Sequence, residues 1–508
     1  MASKGSLVQW PVDRPLLGRG LAFALGLVFT AGFAPLGLSL LVIVVLIPLL
    51  YGLHTTSPRD AAGYGFWFGA GAFLSGTYWI YISVAGFGGA PWFVAVFLVL
   101  FLVSVMAAYL SITAWLIARL SRGEPLSLLI VAPSAWVLIE WLRGWLFTGF
   151  PWLAIGYAQS DSVLAGWAPV AGVYGVSFAA LLSAAAVVAA FLASGRQRLV
   201  AGALVVLPFL GGALLERVDW TEPYGPPLTA TVIQAGIPQD QKWQPDMLEP
   251  TLRFYRGETL KAAGSDIVLW PEVAVPSVDD YMTSFIDRLG QDARSAGQSI
   301  VFGILEREEV RGETRTYNAL FLADGGPVQR YRKQHLVPYG EYFPVPGFLR
   351  QRFDMKFIPR TDLSPGGREQ PLLVHGTDTP LAAAICYEDA YGSEQLYALP
   401  EAKLLINVSN DAWFGDSIAP MQHLQIARMR SIEAERATIR ATSTGISAFI
   451  DAGGKVVEQG PQFEPVIMTR EVQPRTGATP YVRFGNTPVI VLCVALLAAA
   501  WVRIRTGL

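Results

Sequence analysis

Pro91-Trp-Phe-Val-Ala-Val-Phe-Leu-Val-Leu-Phe-Leu-Val-Ser-Val-Met-Ala-Ala-Tyr-Leu-Ser-Ile-Thr-Ala-Trp-Leu-Ile-Ala118 runs for twenty-eight positions without a charged side chain. A helix needs roughly 20 apolar residues to cross the hydrocarbon core of a bilayer, so this stretch reads as a membrane span. Similar runs flank it. Spans are expected near 18–34, 37–54, 62–86, 127–149, 165–194 and 199–216, and an eighth near 486–503. The first two are short and separated only by Ala34-Pro35-Leu36-Gly37, which also allows a shallow helical hairpin. Gly65 and Gly69, four apart in the third span, suit either a close helix contact or loose lipid-facing positions. Over the whole chain of 508 residues, 52% are hydrophobic and only 15% charged, where a soluble protein carries about 25%.

Charge placement sets the expected orientation. Counted on alternate sides of these spans, Lys4, Arg14, Arg19, Arg59, Arg119, Arg122, Arg196, Arg198, Arg503 and Arg505 fall on one side. The short connections near 34–37, 87–90 and 150–164 carry no Lys or Arg. The positive-inside rule then makes both termini cytoplasmic and puts residues 217–485 on the outer face. The first span is not read as a cleaved signal peptide, because no A-x-A-like site follows it and further spans do. The expected division is a helical membrane domain of seven spans at 1–216, an outer domain at 217–485, and a last helix with a short tail at 486–508.

The outer segment has the look of a soluble α/β domain. β-rich runs recur at Ala230–Ile237, Ile267–Trp270, Ile300–Leu305, Ala319–Leu322, Leu381–Ile385, Leu404–Val408 and Ser447–Ile450, with helix-compatible stretches such as Asp287–Ser295 and Gln425–Ala437 between some of them. Near-continuous apolar strands imply sheets covered on both faces. Net charge is −2, and no basic block points to nucleic acid. Two cysteines, Cys386 and Cys493, exclude a disulfide framework. The histidines His54, His335, His375 and His423 are scattered, with neither HExxH nor CxxC, so neither a metal nor another cofactor is expected.

Three polar residues follow strand-like runs. Glu272 ends Ile267-Val-Leu-Trp-Pro-Glu, Cys386 ends Leu381-Ala-Ala-Ala-Ile-Cys, and Lys333 lies in Tyr331-Arg-Lys-Gln-His. Strand ends are where open α/β sheets place ligands and reactive groups. Taken singly, each has a plainer reading: a buried small hydrophobe, a helix cap and a solvated lysine.

Together they resemble the nitrilase, or carbon–nitrogen hydrolase, superfamily. The motifs are Trp270-Pro-Glu272, Tyr331-Arg-Lys333-Gln-His-Leu-Val-Pro-Tyr-Gly-Glu341, Ile385-Cys386-Tyr-Glu-Asp, Asn407-Val-Ser-Asn-Asp-Ala-Trp-Phe-Gly415 and Tyr317-Asn318. Such a domain behind several spans and before a last one resembles the apolipoprotein N-acyltransferase family. Gln234-Ala-Gly-Ile-Pro-Gln-Asp-Gln-Lys-Trp243 and Trp141-Leu-Arg-Gly-Trp-Leu-Phe-Thr-Gly-Phe-Pro-Trp152 are similar to that family as well. The resemblance implies an αββα sandwich and a catalytic triad of Glu272, Lys333 and Cys386. It also implies support from Glu341, Glu388, Tyr387 and Asn318, with Glu341 and Glu388 holding Lys333 or each other. Trp243 and Trp413 would contact substrate. The implied substrates are a glycerophospholipid acyl donor and an S-diacylglyceryl apolipoprotein acceptor, handled at the bacterial inner membrane with the catalytic domain in the periplasm. A monomer is expected.

The chemistry is intelligible from the residues. A thiol with a pKa near 8.5 needs a base to become a good nucleophile. Glu272 would serve if partial burial raises its pKa toward neutrality. Lys333, with a backbone N–H after Cys386, would stabilise the oxyanion. The sequence ester, thioester, amide ends in the least reactive acyl compound, so no nucleotide is required, and no GxxxxGK[ST] loop is present. The Pro-rich stretch from Tyr339 to Pro365 carries Tyr342, Phe343, Phe348, Phe353, Met355 and Phe357. It is read either as a lid admitting acyl chains, with Tyr339, Phe343, Phe353 and Phe357 on the substrate, or as aromatics packed on the domain. Glu140 and Arg143, three apart within a span, are expected to pair near its outer end and to tie the span to the catalytic domain. Cys493 is read as packing. The rival readings are a membrane-tethered amidase or nitrilase that releases its acyl group to water, and a non-enzymatic receptor, which would have been expected to lose triad residues.

Overall fold

The computed structural model describes residues 14–121, 124–343 and 362–506. Two compact units emerge. The first takes in residues up to Tyr81, then Trp92–Asp219 and Phe484 onward; the second takes Ile82–Pro91 and Trp220–Arg483.

The first unit is helical. Its long helices are α1 (Pro15–Phe29), α2 (Ser39–Thr55), α3 (Pro58–Thr77), α4 (Trp92–Leu120), α5 (Leu128–Arg143), α6 (Ala168–Leu192) and α7 (Gly195–Leu215), followed by the C-terminal helix Thr487–Thr506. Among the described residues, six segments are long and apolar enough to cross a membrane: Pro15–Gly32, Trp92–Leu120, Pro125–Arg143, Val163–Leu192, Gly195–Leu215 and Thr487–Thr506. α2 is apolar but shorter, and α3 is not among the six. Arg59 and Asp60 in its first turn and a Gly-rich interior lower its hydropathy. A Cβ on Gly65 would run into the Leu110 carbonyl and Ala114 of α4, and one on Gly69 into Ala107. The two glycines therefore serve a close helix contact and do not face lipid.

Two helices end earlier than the hydrophobic runs imply. α3 stops at Thr77 instead of continuing to 86, and the chain makes a π-helical turn at Ile82–Phe87 that belongs to the second unit. α5 stops at Arg143 instead of 149, because Phe147, Thr148 and Gly149 take left-handed backbone angles. That reversal leaves backbone groups inside an apolar unit, and they need polar partners. Glu140 and Arg143 supply them. Glu140 accepts from Ile155 N–H at 2.9 Å, and Arg143 Nη1 donates to the carbonyls of Phe150 and Trp152 at 2.6 Å each. The two charges attract each other, and each side chain also bonds to the 150–155 backbone, all within the helical unit. Cys493 is fully buried.

The second unit is a layered α/β/β/α domain. Its strands begin with β1 (Thr221–Pro223), β2 (Leu228–Gln234), β3 (Ile267–Leu269), β4 (Val275–Val278), β5 (Ser299–Val310), β6 (Glu313–Ala323) and β7 (Gln329–Arg332). They continue with β8 (Leu373–His375), β9 (Thr379–Ile385), β10 (Leu404–Ser409), β11 (Thr438–Thr442), β12 (Ala448–Ile450), β13 (Val456–Gln459), β14 (Val466–Val472) and β15 (Arg475–Gly477). One sheet runs β14-β2-β3-β5-β6-β7 with β4 beside β5, and the other runs β13-β12-β11-β10-β9-β8.

Side-chain alternation explains the layering. In β3, Ile267 and Leu269 join Val301, Ile385, Leu404 and Ile439 in a core drawn from both sheets. Val268 points the other way and packs with Leu252 of α8 (Leu248–Lys261) and Leu289 of α9 (Asp279–Ala296). On the far side of the second sheet, Leu424 and Ala427 of α10 (Ala419–Ala434) pack on Ala448 and Ile450. α10 ends at Ala434, not Ala437, with Glu435 left-handed at φ 46°. The strand that follows, Thr438-Ile-Arg-Ala-Thr442, is interrupted by Arg440, which hides it from an apolar-run reading.

Gly65→Leu is expected to destabilise the helical unit by about 1–3 kcal/mol through overpacking, seen as a lowered thermal midpoint in detergent. Gly20→Leu, where an added Cβ meets nothing, should leave the midpoint unchanged.

Candidate active site

Each of the three polar residues singled out in the sequence emerges just beyond a strand. Glu272 follows β3, Lys333 follows β7 and Cys386 follows β9. β3 lies between its parallel neighbours β2 and β5, and the carboxyl half of β9 is paired in parallel with β10 up to Ile385, so both strand ends are fixed by pairing.

The side chains converge. Lys333 Nζ lies 2.9 Å from Glu341 Oε1 and 3.4 Å from Glu272 Oε1. Asn318 of β6 bridges the two carboxylates, donating Nδ2–H to Glu272 at 2.7 Å and to Glu341 at 3.0 Å. The second oxygen of Glu341 accepts Val337 N–H at 2.8 Å. Lys333 is 1% exposed, and a buried ammonium is tolerable only when paired. Burial alone would push it down, but Glu341 and Glu272 outweigh burial and hold it charged.

Cys386 belongs to the same electrostatic group. Burial, and then the Glu272 carboxylate, push its thiol well up, and Lys333 offsets this only in part. A buried thiol in that state is protonated at rest, with the Glu272 carboxylate among the charges that bear on it. The Cys386 backbone is left-handed at φ 55°, a conformation that a residue with a Cβ holds only when its surroundings enforce it.

Glu388 feels the Lys333 charge, and its hydrogen bonds go chiefly to main chain. It accepts the main-chain N–H groups of Ile385 at 2.6 Å, Gln334 at 2.7 Å and His335 at 3.2 Å, and the Tyr331 hydroxyl at 3.0 Å. It therefore joins the backbone after Lys333 to the backbone before Cys386. Burial pushes its pKa up to about 7, against the pull of those donors. Tyr387 packs edge-on to His335 and Tyr391.

Trp243 and Trp413 are half-exposed and not core residues. Trp413 packs on Phe87, and its carbonyl accepts Ser83 Oγ at 2.7 Å. Tyr339, exposed and left-handed, meets Phe343 edge-on at 5.2 Å. Phe343 N–H donates to Asp362 at 3.2 Å. Phe353 and Phe357 lie outside the described residues.

Sequence reasoning missed Lys242, which is buried and donates to the Glu272 carbonyl at 3.1 Å. Burial lowers its pKa to about 8. Its place beside Trp243, in a quoted motif, was the available signal. The next residue after Glu272, Val273, is left-handed at φ 46°, so Lys242 anchors a strained turn.

Residues 25–186 match the apolipoprotein N-acyltransferase N-terminal domain, and residues 229–481 match the carbon-nitrogen hydrolase domain. An apolipoprotein N-acyltransferase of Methylococcus capsulatus is 41% identical over 96% of this chain and 96% of its own. One from Nitrosomonas europaea is also 41% identical, over 94% of this chain and 96% of its own. The chain belongs to the apolipoprotein N-acyltransferase family. A solved carbon-nitrogen hydrolase from Helicobacter pylori G27 aligns with 48% of this chain and 89% of that one, at 17% identity and a TM-score of 0.37. Membership in this family of enzymes, with the apolar helices of the first unit, makes the chain a multi-pass inner-membrane protein.

The Glu388 pKa gives a signed prediction. Its folded value of about 7 lies above the ordinary 4.5, so between those values the folded form holds more protons than the unfolded chain. Stability therefore falls as pH rises through that window and levels off above it. Glu388→Gln should flatten this slope, which thermal midpoints of both proteins at pH 5 and pH 8 will measure.

Proposed function

We propose that this protein moves a fatty acyl chain from a glycerophospholipid to the α-amine of an S-diacylglyceryl cysteine at an apolipoprotein N-terminus, by way of a thioester on Cys386. The observation that carries the reading is the buried Glu272–Asn318–Glu341–Lys333 cluster acting on a thiol that is protonated at rest.

In the first half-reaction the Glu272 carboxylate takes the Sγ proton and the thiolate attacks the donor's ester carbonyl. The Lys333 ammonium faces the oxyanion, assisted by the backbone N–H after Cys386, and the tetrahedral intermediate collapses. The lysophospholipid leaves with the proton that Glu272 held. In the second half the acceptor amine attacks the thioester and Glu272 receives the amine's proton; the C–S bond breaks, the amide leaves, and Glu272 returns the proton to Sγ of Cys386. Two substrates sharing one covalent carrier give ping-pong kinetics.

Glu341 and Asn318 hold Lys333 and Glu272 in register, while Glu388 and Tyr387 shape the loop around Cys386. Trp243, Trp413, Tyr339 and Phe343 line the approach for acyl chains. Residues 217–485 form the catalytic domain on the periplasmic side, with seven spans in 1–216, a last one in 486–508 and both termini cytoplasmic, as the distribution of Lys and Arg supports. One chain carries the whole set of reacting groups, consistent with a monomer.

Purified protein incubated with phospholipid and an S-diacylglyceryl peptide is expected to yield N-acylated peptide and lysophospholipid in equal amounts. Cys386→Ala and Glu272→Gln should abolish both products, and Lys333→Met should lower kcat by about 10²–10³-fold. Free fatty acid with no N-acylated peptide would make the protein a hydrolase instead.

A further inference from the structure

Against Cys386 lies a second buried polar cluster for which the acyl transfer itself has no use. His423 of α10 is 1% exposed. Its Nε2 is 3.2 Å from the Cys386 carbonyl oxygen and its Nδ1 is 2.9 Å from Asp411 Oδ1. A carbonyl can only accept, so Nε2 carries the hydrogen in that contact. Asp411 is itself held: Oδ1 accepts Ser409 Oγ at 2.7 Å, and Oδ2 accepts Arg440 Nη2 at 3.0 Å. Arg440 is fully buried and also meets Asn407, Asp389 and the Ile446 carbonyl. Burial would push the Asp411 carboxyl up, but His423 and Arg440 outweigh it and keep it ionised. Ser409, bound to Asp411, also reaches the Cys386 thiol. The cluster therefore meets Cys386 at both its carbonyl and its sulfur.

A histidine buried only to fill space has no need of a defined partner on each ring nitrogen. Here Nε2 meets the carbonyl of a left-handed residue, while Nδ1 meets an anchored carboxylate and, at 3.1 Å, Nη2 of Arg440. The same arrangement recurs at the other reactive residue, where buried Lys242 donates to the carbonyl of Glu272 immediately before left-handed Val273. In each case a buried donor holds the main chain of a strained turn that would otherwise relax.

We propose that His423, held by Asp411, is a positioning residue for the nucleophile: by donating Nε2–H to the Cys386 carbonyl it fixes the left-handed turn that aims Sγ at Glu272 and Lys333. The proposal rests on Cys386 being the acyl carrier. It adds a member to the site that touches no substrate and acts only through the backbone of Cys386.

The test compares His423→Gln, His423→Asn and His423→Leu with wild type and Cys386→Ala, all as full-length protein in phospholipid micelles. Gln retains an amide N–H at the reach of Nε2, Asn retains one only at the reach of Nδ1, and Leu retains neither. Read-outs are the rate of thioester formation, kcat and donor KM separately, the rate at which iodoacetamide alkylates Cys386 as mapped by peptide mass, and the thermal midpoint. Leu and Asn are expected to slow thioester formation about a hundredfold, with donor KM and thermal midpoint nearly unchanged and the alkylation rate of Cys386 altered. Gln is expected to recover most of the rate. Leu or Asn matching wild type, or Gln as slow as Leu, overturns the proposal, as does failure of all three to fold, which would assign His423 to the fold alone. If Cys386→Ala still turns over, the carrier reading itself falls and this proposal with it. If Cys386→Ala is inert while the His423 variants are fully active, only the positioning role falls.

Discussion

Burying a lysine ammonium without partners is prohibitively costly, and the catalytic unit is organised around meeting that demand for Lys333. Glu341 supplies the close contact at 2.9 Å and Glu272 the longer one at 3.4 Å. Two carboxylates around one cation would repel each other, and Asn318 sits between them, donating to both. The result is a largely buried charged cluster, in which each charge is worth more than on a surface. Glu272, held by the longer of the two ion-pair contacts, is the carboxylate proposed to take the Cys386 proton.

The scaffold places these groups with short reaches from rigid strands. β3 and β9 are paired on both sides, so Glu272 and Cys386 inherit fixed origins. Both then depend on left-handed backbone, at Val273 and at Cys386 itself. Glu388 links the two reactive loops through four hydrogen-bond donors of different origin, three of them main-chain N–H groups. Precision in the site thus comes from buried polar groups that pin main chain, and the energetic strain of the turns is held by the layers around them.

Much of this was legible in the sequence, for identifiable reasons. The apolar strands β2, β3, β5, β6, β9, β10 and β12 announce themselves because both faces of each sheet are covered. β11 was hidden because Arg440 interrupts its apolar run, and the residue is compatible with a strand only through Asp389, Asn407 and Asp411, which come from elsewhere in the chain. Glu272, Lys333 and Cys386 were found by their place after strand-like runs and by family resemblance. Glu388 was found, but its partners were not, since main-chain donors leave no mark in a sequence. Lys242 and His423 were passed over for the same reason: each acts on a carbonyl. The early ends of α3 and α5 escaped because hydropathy continues beyond both helices while the backbone turns.

The account turns on Cys386 holding an acyl group between donor and acceptor. The most direct measurement is the intact mass of the full-length protein after exposure to phospholipid without acceptor. One fatty acyl mass should be gained, mapped to Cys386, lost on treatment with neutral hydroxylamine as a thioester would be, and absent from Cys386→Ala. An acyl group found on another residue, or none trapped while the enzyme turns over, would contradict it.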